Sequence, residues 1–343
     1  MGLLALGNAG LTERSCATIK PSGRVVRTRR VAYLMQSLWA ITCYFNPEAY
    51  VCRRRNYRTF REHLTAPLVT VELSVDGRFE LGGSDADLLV QIRGGDVMWQ
   101  KERLLNIAAS KVPRACDRIA WLDCDVVFEN EQWAERAGEA LDRFAMVHLF
   151  DERHNLPRDA DAASPQAWQA ASPTASVMRK IACGEAGPED LFDPEAPIRR
   201  RTTAGLAWAA RREVLERHGL YDACILGTGD RAILCAALGE FDYGVQAVRM
   251  NARRAAHYRN WARPFFGTVR GNVGYVRGRV LHLWHGELGD RHYDERHEGL
   301  RDFDPFEDIA LDASNCWRWS SDKTALHAFV ARYFESRRED GAG

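Results

Sequence analysis

Four short apolar runs mark the first half of this chain: LWAITCYF at 38–45, PLVTVELS at 67–74, DLLVQI at 87–92 and RIAWLD at 118–123. Runs of this length, each closed by a turn signal or a carboxylate, read as buried strands rather than helices. Asn46-Pro47 stops the first, Asp76-Gly77 follows the second, and Gly94-Gly95 follows the third. The text between them is helix-spaced. Residues 48–64 carry many arginines on one side, and 97–111 places Trp99, Leu104, Leu105 and Ala108 at helical intervals. A further helix is expected over 131–144 and a fifth strand over 145–150. Strands alternating with crossover helices predict an α/β fold with a mainly parallel central sheet flanked by helices. Ligands of such sheets bind outside the carboxyl ends of the strands.

Beyond residue 150 the pattern changes. Residues 151–200 are dominated by Ala, Ser, Pro, Asp and Glu, which predicts a long loop or a pair of short helices, the kind of segment that serves as a lid or an acceptor-facing insertion. Order returns with GLAWAA at 205–210, helices over 212–218 and 230–238, a strand over 279–284 and an amphipathic helix over 325–338. Residues 1–34 have no sustained period and read as a poorly ordered appendage, with Met35 as an alternative start. The remainder, 35–343, reads as a single domain.

Composition excludes some classes. The formal net charge is zero, which argues against a protein built on bulk attraction to nucleic acid. The arginine clusters at 24–30, 53–55 and 199–201 read as solvated faces or tails. Nine cysteines, none in CxxC spacing, fit a reducing compartment. The longest apolar stretch, 31–45, is too short to span a bilayer, and MGLLALGNAG lacks the basic start of a signal peptide. A soluble, cytoplasmic protein is expected.

Three segments carry chemistry. Asp123-Cys124-Asp125 ends the apolar run IAWLD. A carboxylate there costs stability unless it is used, and two at i and i+2 reach one Mg²⁺ or Mn²⁺ if the chain bends between them. Gly227-Thr228-Gly229-Asp230 precedes an apolar helix; Asp230 serves there either as an N-cap or as a general base. His282-Leu283-Trp284-His285-Gly286 ends a strand, and an imidazole from it can complete a mixed oxygen and nitrogen metal shell.

The order Asp123-x-Asp125, Gly-x-Gly-Asp230 and a late histidine resembles the core of the GT-A glycosyltransferases, which carry a DxD metal motif, an acidic base in an xED motif and a C-terminal metal-binding His. LLNIAASKVPRACDRIAWLDCDVVF at 104–128 resembles the family's helix and DxD strand, which implies Asn106 in the donor region. GLAWAARREVLERHGLYDACILGTGD at 205–230 resembles its acceptor segment, with Trp208 and Gly229 as acceptor candidates. WHGELGDRHYDER at 284–296 is similar to a motif of bacterial and phage members. The resemblance spans about 38–301. It implies a donor and nucleotide half at 35–150, an acceptor half with the metal histidine at 151–310, and a helical region at 311–343.

On this reading Asp123, Asp125 and either His282 or His285 hold Mn²⁺ or Mg²⁺, and Asp230 is the catalytic base of an inverting transfer. Donor candidates are Asn46, Glu72, Lys101, Arg103, Asn106, Arg291, Tyr293 and Arg296, the arginines because guanidinium matches phosphate. A UDP-sugar is the favoured donor. The expected acceptor is a hydroxyl, with a glycan ranked above a hydroxymethylated DNA base. The sequence departs from the family in reading Gly-Asp where relatives have Glu-Asp. A catalytically silent binding scaffold of the same fold, or a metal-dependent nucleotidyltransferase, are the alternatives.

Overall fold

The computed structural model describes residues 38–160, 162, 164, 173–192, 202–287, 289–292 and 295–341. The appendage expected at 1–34 and the arginine clusters at 24–30 and 199–201 lie outside them.

The predicted strands form. β1 (Leu38–Phe45), β2 (Leu68–Ser74), β3 (Leu88–Arg93) and β4 (Arg118–Leu122) are joined by parallel ladders in the order β3-β2-β1-β4. The sheet continues through β10 (Ala207–Arg211) and β6 (Met146–His148) to β11 (Val273–Tyr275), with β10 antiparallel to both neighbours. Helices α1 (Val51–His63) and α2 (Lys101–Lys111) make the first crossovers, and α3 (Trp133–Leu141) follows β4. Hydrophobic clusters fill both faces: Trp39, Ile41, Val69 and Ile119 pack on one side, Leu38, Ala40, Leu68 and Ala120 on the other. Side chains of a strand alternate between faces, so the continuous apolar runs are explained by burial on both. From β1 the chain steps to β2 and β3 on one side and to β4 on the other. This reversal puts the crevice for a ligand at the ends of β1 and β4, beside Phe45 and Asp123.

A second sheet is formed around the strand expected over 279–284, and its other members were not predicted. It runs β5 (Val126–Phe128), β12 (Arg279–His282), β7 (Glu152–Asn155), β8 (Thr174–Ser176) and β9 (Thr202–Thr203). Part of the segment read as a loop or short helices is therefore strand, and short helices do occur at Val177–Ala182 and Pro188–Phe192. The Arg- and aromatic-rich stretch before β11 is also ordered. After α4 (Gly229–Leu238) comes an 18-residue helix, α5 (Ala252–Val269), which buries Tyr258, Ala262, Phe265 and Val269. Near the C-terminus a small hairpin of β13 (Ile309–Leu311) and β14 (Trp317–Trp319) precedes α6 (Thr324–Ser336). Among the described residues no helix is long and apolar enough to cross a membrane.

Candidate active site

The chain passes from the large sheet to the small one within three residues. β4 ends at Leu122, the Asp123 amide donates to the Leu206 carbonyl, and Val126 already opens β5. Asp123, Cys124 and Asp125 thus span the gap between the sheets and line a cavity of about 530 Å³. The bend that a shared site requires comes from this change of sheet.

Register brings the histidines to Asp125. In the antiparallel β5–β12 ladder Val126 faces His282, and the Leu283 amide donates to the Asp125 carbonyl at 2.8 Å. The His285 Nε2 lies 3.2 Å from Asp125 Oδ2 and the His282 Nε2 3.8 Å from it. One ligand atom from each of Asp125, His282 and His285 falls within 4.8 Å of the others.

The hydrogen bonds around these rings fix their protons. His282 Nδ1 donates to Asn155 Oδ1 at 3.0 Å, across the parallel β7–β12 pair where the two residues face each other. A guanidinium can only donate, so Arg291, 2.9 Å from His285 Nε2, makes that nitrogen an acceptor. Burial, then the charge of Arg291, holds both imidazoles well below their ordinary pKa, so both are neutral. The two Nε2 atoms are 3.0 Å apart. Asp125 Oδ1 is buried with no protein partner, and burial followed by the Asp123 charge pushes the Asp125 carboxyl up to about 7. Two imidazole nitrogens beside Asp125 Oδ2, with Oδ1 left without a partner, form a donor set that suits a divalent cation. Both histidines belong to this group, so the geometry does not choose between them.

Asp230 enters the same cavity from another wall. Gly227 and Thr228 both adopt left-handed φ, +82° and +72°, and the double turn presents the start of α4 to the cavity. Gly205 leaves room: a Cβ there would lie 2.7 Å from Asp230 Oδ2. Lys101 connects the two acidic elements, with Nζ 2.6 Å from Asp123 Oδ1 and 2.8 Å from Asp230 Oδ2. Burial alone lowers an ammonium's pKa, but these carboxylates keep Lys101 well above its ordinary value.

Other expected residues are placed variously. Arg291 and Arg296 line the cavity, Arg296 bonding Thr228 Oγ1 and the Tyr333 hydroxyl. Tyr293 lies outside the described residues. Asn46, Glu72, Arg103, Asn106, Trp208 and Gly229 are not on the cavity wall. Asn46 braces Tyr50 and Glu80, and Glu72 accepts from the Glu80 and Leu81 amides and from Gln91. Arg103 pairs with Asp222, while Asn106 bonds both main-chain groups of Leu220. These side chains satisfy backbone and loop groups, a demand on buried polar atoms that takes precedence. Trp208 is buried and stacked on His148 at 4.1 Å, with its indole N–H on the Ala204 carbonyl. Gly229 meets Glu102, discussed below.

The cavity also has walls that sequence reasoning missed. Arg53, read within a solvated cluster, bonds the buried Glu339 through two nitrogens at 2.9 and 2.5 Å, and Arg337 adds a third contact at 2.6 Å. Against its burial, these guanidiniums hold the Glu339 carboxyl down to about 2. Asn155 had no motif around it, and Glu339 lies more than 200 residues from the DxD element. Only the folded chain joins them.

No protein-family model and no curated protein matches the sequence. Among solved structures, glucosyl-3-phosphoglycerate synthase from Mycobacterium tuberculosis, in complex with Mn²⁺, UDP and glucosyl-3-phosphoglycerate, aligns at 12% identity with a TM-score of 0.38, covering 86% of this chain and 90% of that one. S. aureus TarS aligns at 12% identity with a TM-score of 0.31, covering 69% of this chain and 45% of that one.

Proposed function

We propose that this chain is a metal-dependent, inverting glycosyltransferase that moves a sugar from a nucleotide-sugar, a UDP-sugar by preference, to a hydroxyl acceptor. One observation carries the reading. Asp125, His282 and His285 converge on a single point, and that point shares one cavity with Asp123, Lys101 and Asp230 at the carboxyl ends of β1 and β4.

Asp125 and the two histidines would hold Mn²⁺ or Mg²⁺, with Asp123 beside them. The ion supplies charge neutralisation at the donor diphosphate. Arg291 and Arg296 stand on the same wall, where guanidinium N–H groups match phosphate oxygens. Asp230 accepts the proton of the acceptor hydroxyl. Lys101 fixes one oxygen of Asp230 and so leaves the other to face the acceptor. A base on the enzyme and one direct displacement give inversion at the anomeric carbon. The zero net charge favours a small or glycan hydroxyl over a DNA base.

The test is a thermal-shift screen of nucleotide-sugars with and without Mn²⁺, followed by donor turnover. Release of a nucleoside diphosphate supports the reading. Release of pyrophosphate, or no Mn²⁺-dependent nucleotide affinity, overturns it.

Asn155 provides a narrower test. Leu at this position cannot accept from His282, so Asn155→Leu frees the ring to rotate. Residues that orient metal ligands are worth about 10–100-fold in metal affinity. Mn²⁺ binding measured by calorimetry should weaken by that factor; unchanged affinity would show that the ring needs no such anchor.

A further inference from the structure

Lys101 and Glu102 are consecutive on the first turn of α2, yet only Lys101 reaches the cavity. Glu102 is 2% exposed, and neither of its carboxylate oxygens has a hydrogen-bond partner outside its own main chain. It is pressed against the start of α4: a Cβ at Gly229 would stand 2.3 Å from Glu102 Oε1 and 2.6 Å from Cδ. The groups whose charges it feels are Lys101, Asp230 and Asp123, and the Cys43 and Cys224 thiols feel it in turn. A buried carboxyl with no partner is costly to a fold. This one sits directly behind the proposed base.

We infer that Glu102 is a positioning residue for Asp230: its carboxyl takes the side-chain space of position 229 and fixes the first turn of α4 against the Lys101 bridge. This rests on the transferase reading of Asp230. Glu102 touches no cavity space, so it acts through Asp230 and Lys101 rather than on substrate. Burial, and then the Asp230 charge acting against Lys101, pushes its carboxyl up to about 8. Below that pH Glu102 is a neutral wedge. Above it, a third carboxylate charge pulls on the ammonium that spans Asp123 and Asp230.

The experiment compares wild type with Glu102→Gln, which keeps the shape and cannot ionise, and with Glu102→Ala, which removes the wedge. Each full-length protein is assayed with Mn²⁺ and a UDP-sugar for nucleotide affinity, for kcat across pH, and for melting temperature across pH. Glu102→Ala should keep UDP affinity and lose about 100-fold in kcat, the scale of a misplacement near 1 Å. In wild type kcat should fall above about pH 8, and Glu102→Gln should lack that alkaline limb. Because burial raises the carboxyl above its ordinary value in the folded state, the protonated group favours the fold at low pH and that contribution is lost as pH rises through about 8. Glu102→Gln should therefore melt with wild type near pH 5 and above it at pH 9. Wild-type kcat in Glu102→Ala, or an alkaline limb retained in Glu102→Gln, overturns the role of Glu102. Absence of Mn²⁺-dependent UDP affinity in wild type instead removes the transferase reading itself.

Discussion

Asp230→Asn should fold, bind UDP in the presence of Mn²⁺ as tightly as wild type, and transfer sugar about 10²–10⁴-fold more slowly. The substitution keeps the size of the side chain and an oxygen within reach of Lys101 Nζ, now 2.8 Å away. The room that Gly205 leaves is still filled. What disappears is the capacity to take a proton. The three candidate metal ligands closest to one another, Asp125, His282 and His285, come from other elements, so donor binding has no reason to change. The loss belongs in kcat with the donor KM preserved, the pattern of an interaction made only in the transition state. Steady-state assay of donor turnover separates the two parameters. Wild-type turnover in the variant would take Asp230 out of the chemistry.

What the sequence made legible depended on the length of each signal. β1 and β2, of eight and seven residues, announce themselves because burial on both faces produces unbroken apolar runs. Apart from β12, expected over 279–284, the strands of the second sheet are two to four residues long, too short for a period to be counted, and β7 reads Glu-Arg-His-Asn with no apolar residue at all. α5 was obscured because Pro264 interrupts a helical pattern already diluted by arginine. The site shows the same division. Asp123, Asp125, Asp230, His282 and His285 stood in recognisable local contexts, and all five line one cavity. Asn106 and Arg103 stood on the right helix and face away, because their neighbours Leu220 and Asp222 need hydrogen-bond partners. Spacing along a helix gives the direction of a side chain but not the identity of what waits there. Asn155, Glu102 and Glu339 had no local signal, since each packs against residues distant in sequence: His282, Gly229 and Arg53.

Asp125 allows a prediction that joins metal, proton and stability. Removing a candidate ligand that lies beside two imidazole nitrogens should cost Mn²⁺ affinity more than the roughly 10–100-fold expected for a residue that merely orients one. Asp125→Ala should therefore lose metal-dependent UDP binding altogether in calorimetry. The proton sharpens the test. Burial and the neighbouring Asp123 raise the Asp125 carboxyl from its ordinary range to about 7. A group raised in the folded state stabilises it fully below the unfolded value, and that contribution is lost as pH rises through the folded one. In the metal-free protein, then, passing pH 7 sets a buried negative charge against the ring nitrogens of His282 and His285. A cation relieves that repulsion, and no proton competes with it above pH 7. Mn²⁺ should raise the melting temperature of wild type more at pH 8 than at pH 6, through its preference for the folded state. In Asp125→Ala the Mn²⁺ shift should be small and the same at both pH values. An undiminished, pH-dependent shift in that variant would place the cation elsewhere, and with it the donor diphosphate.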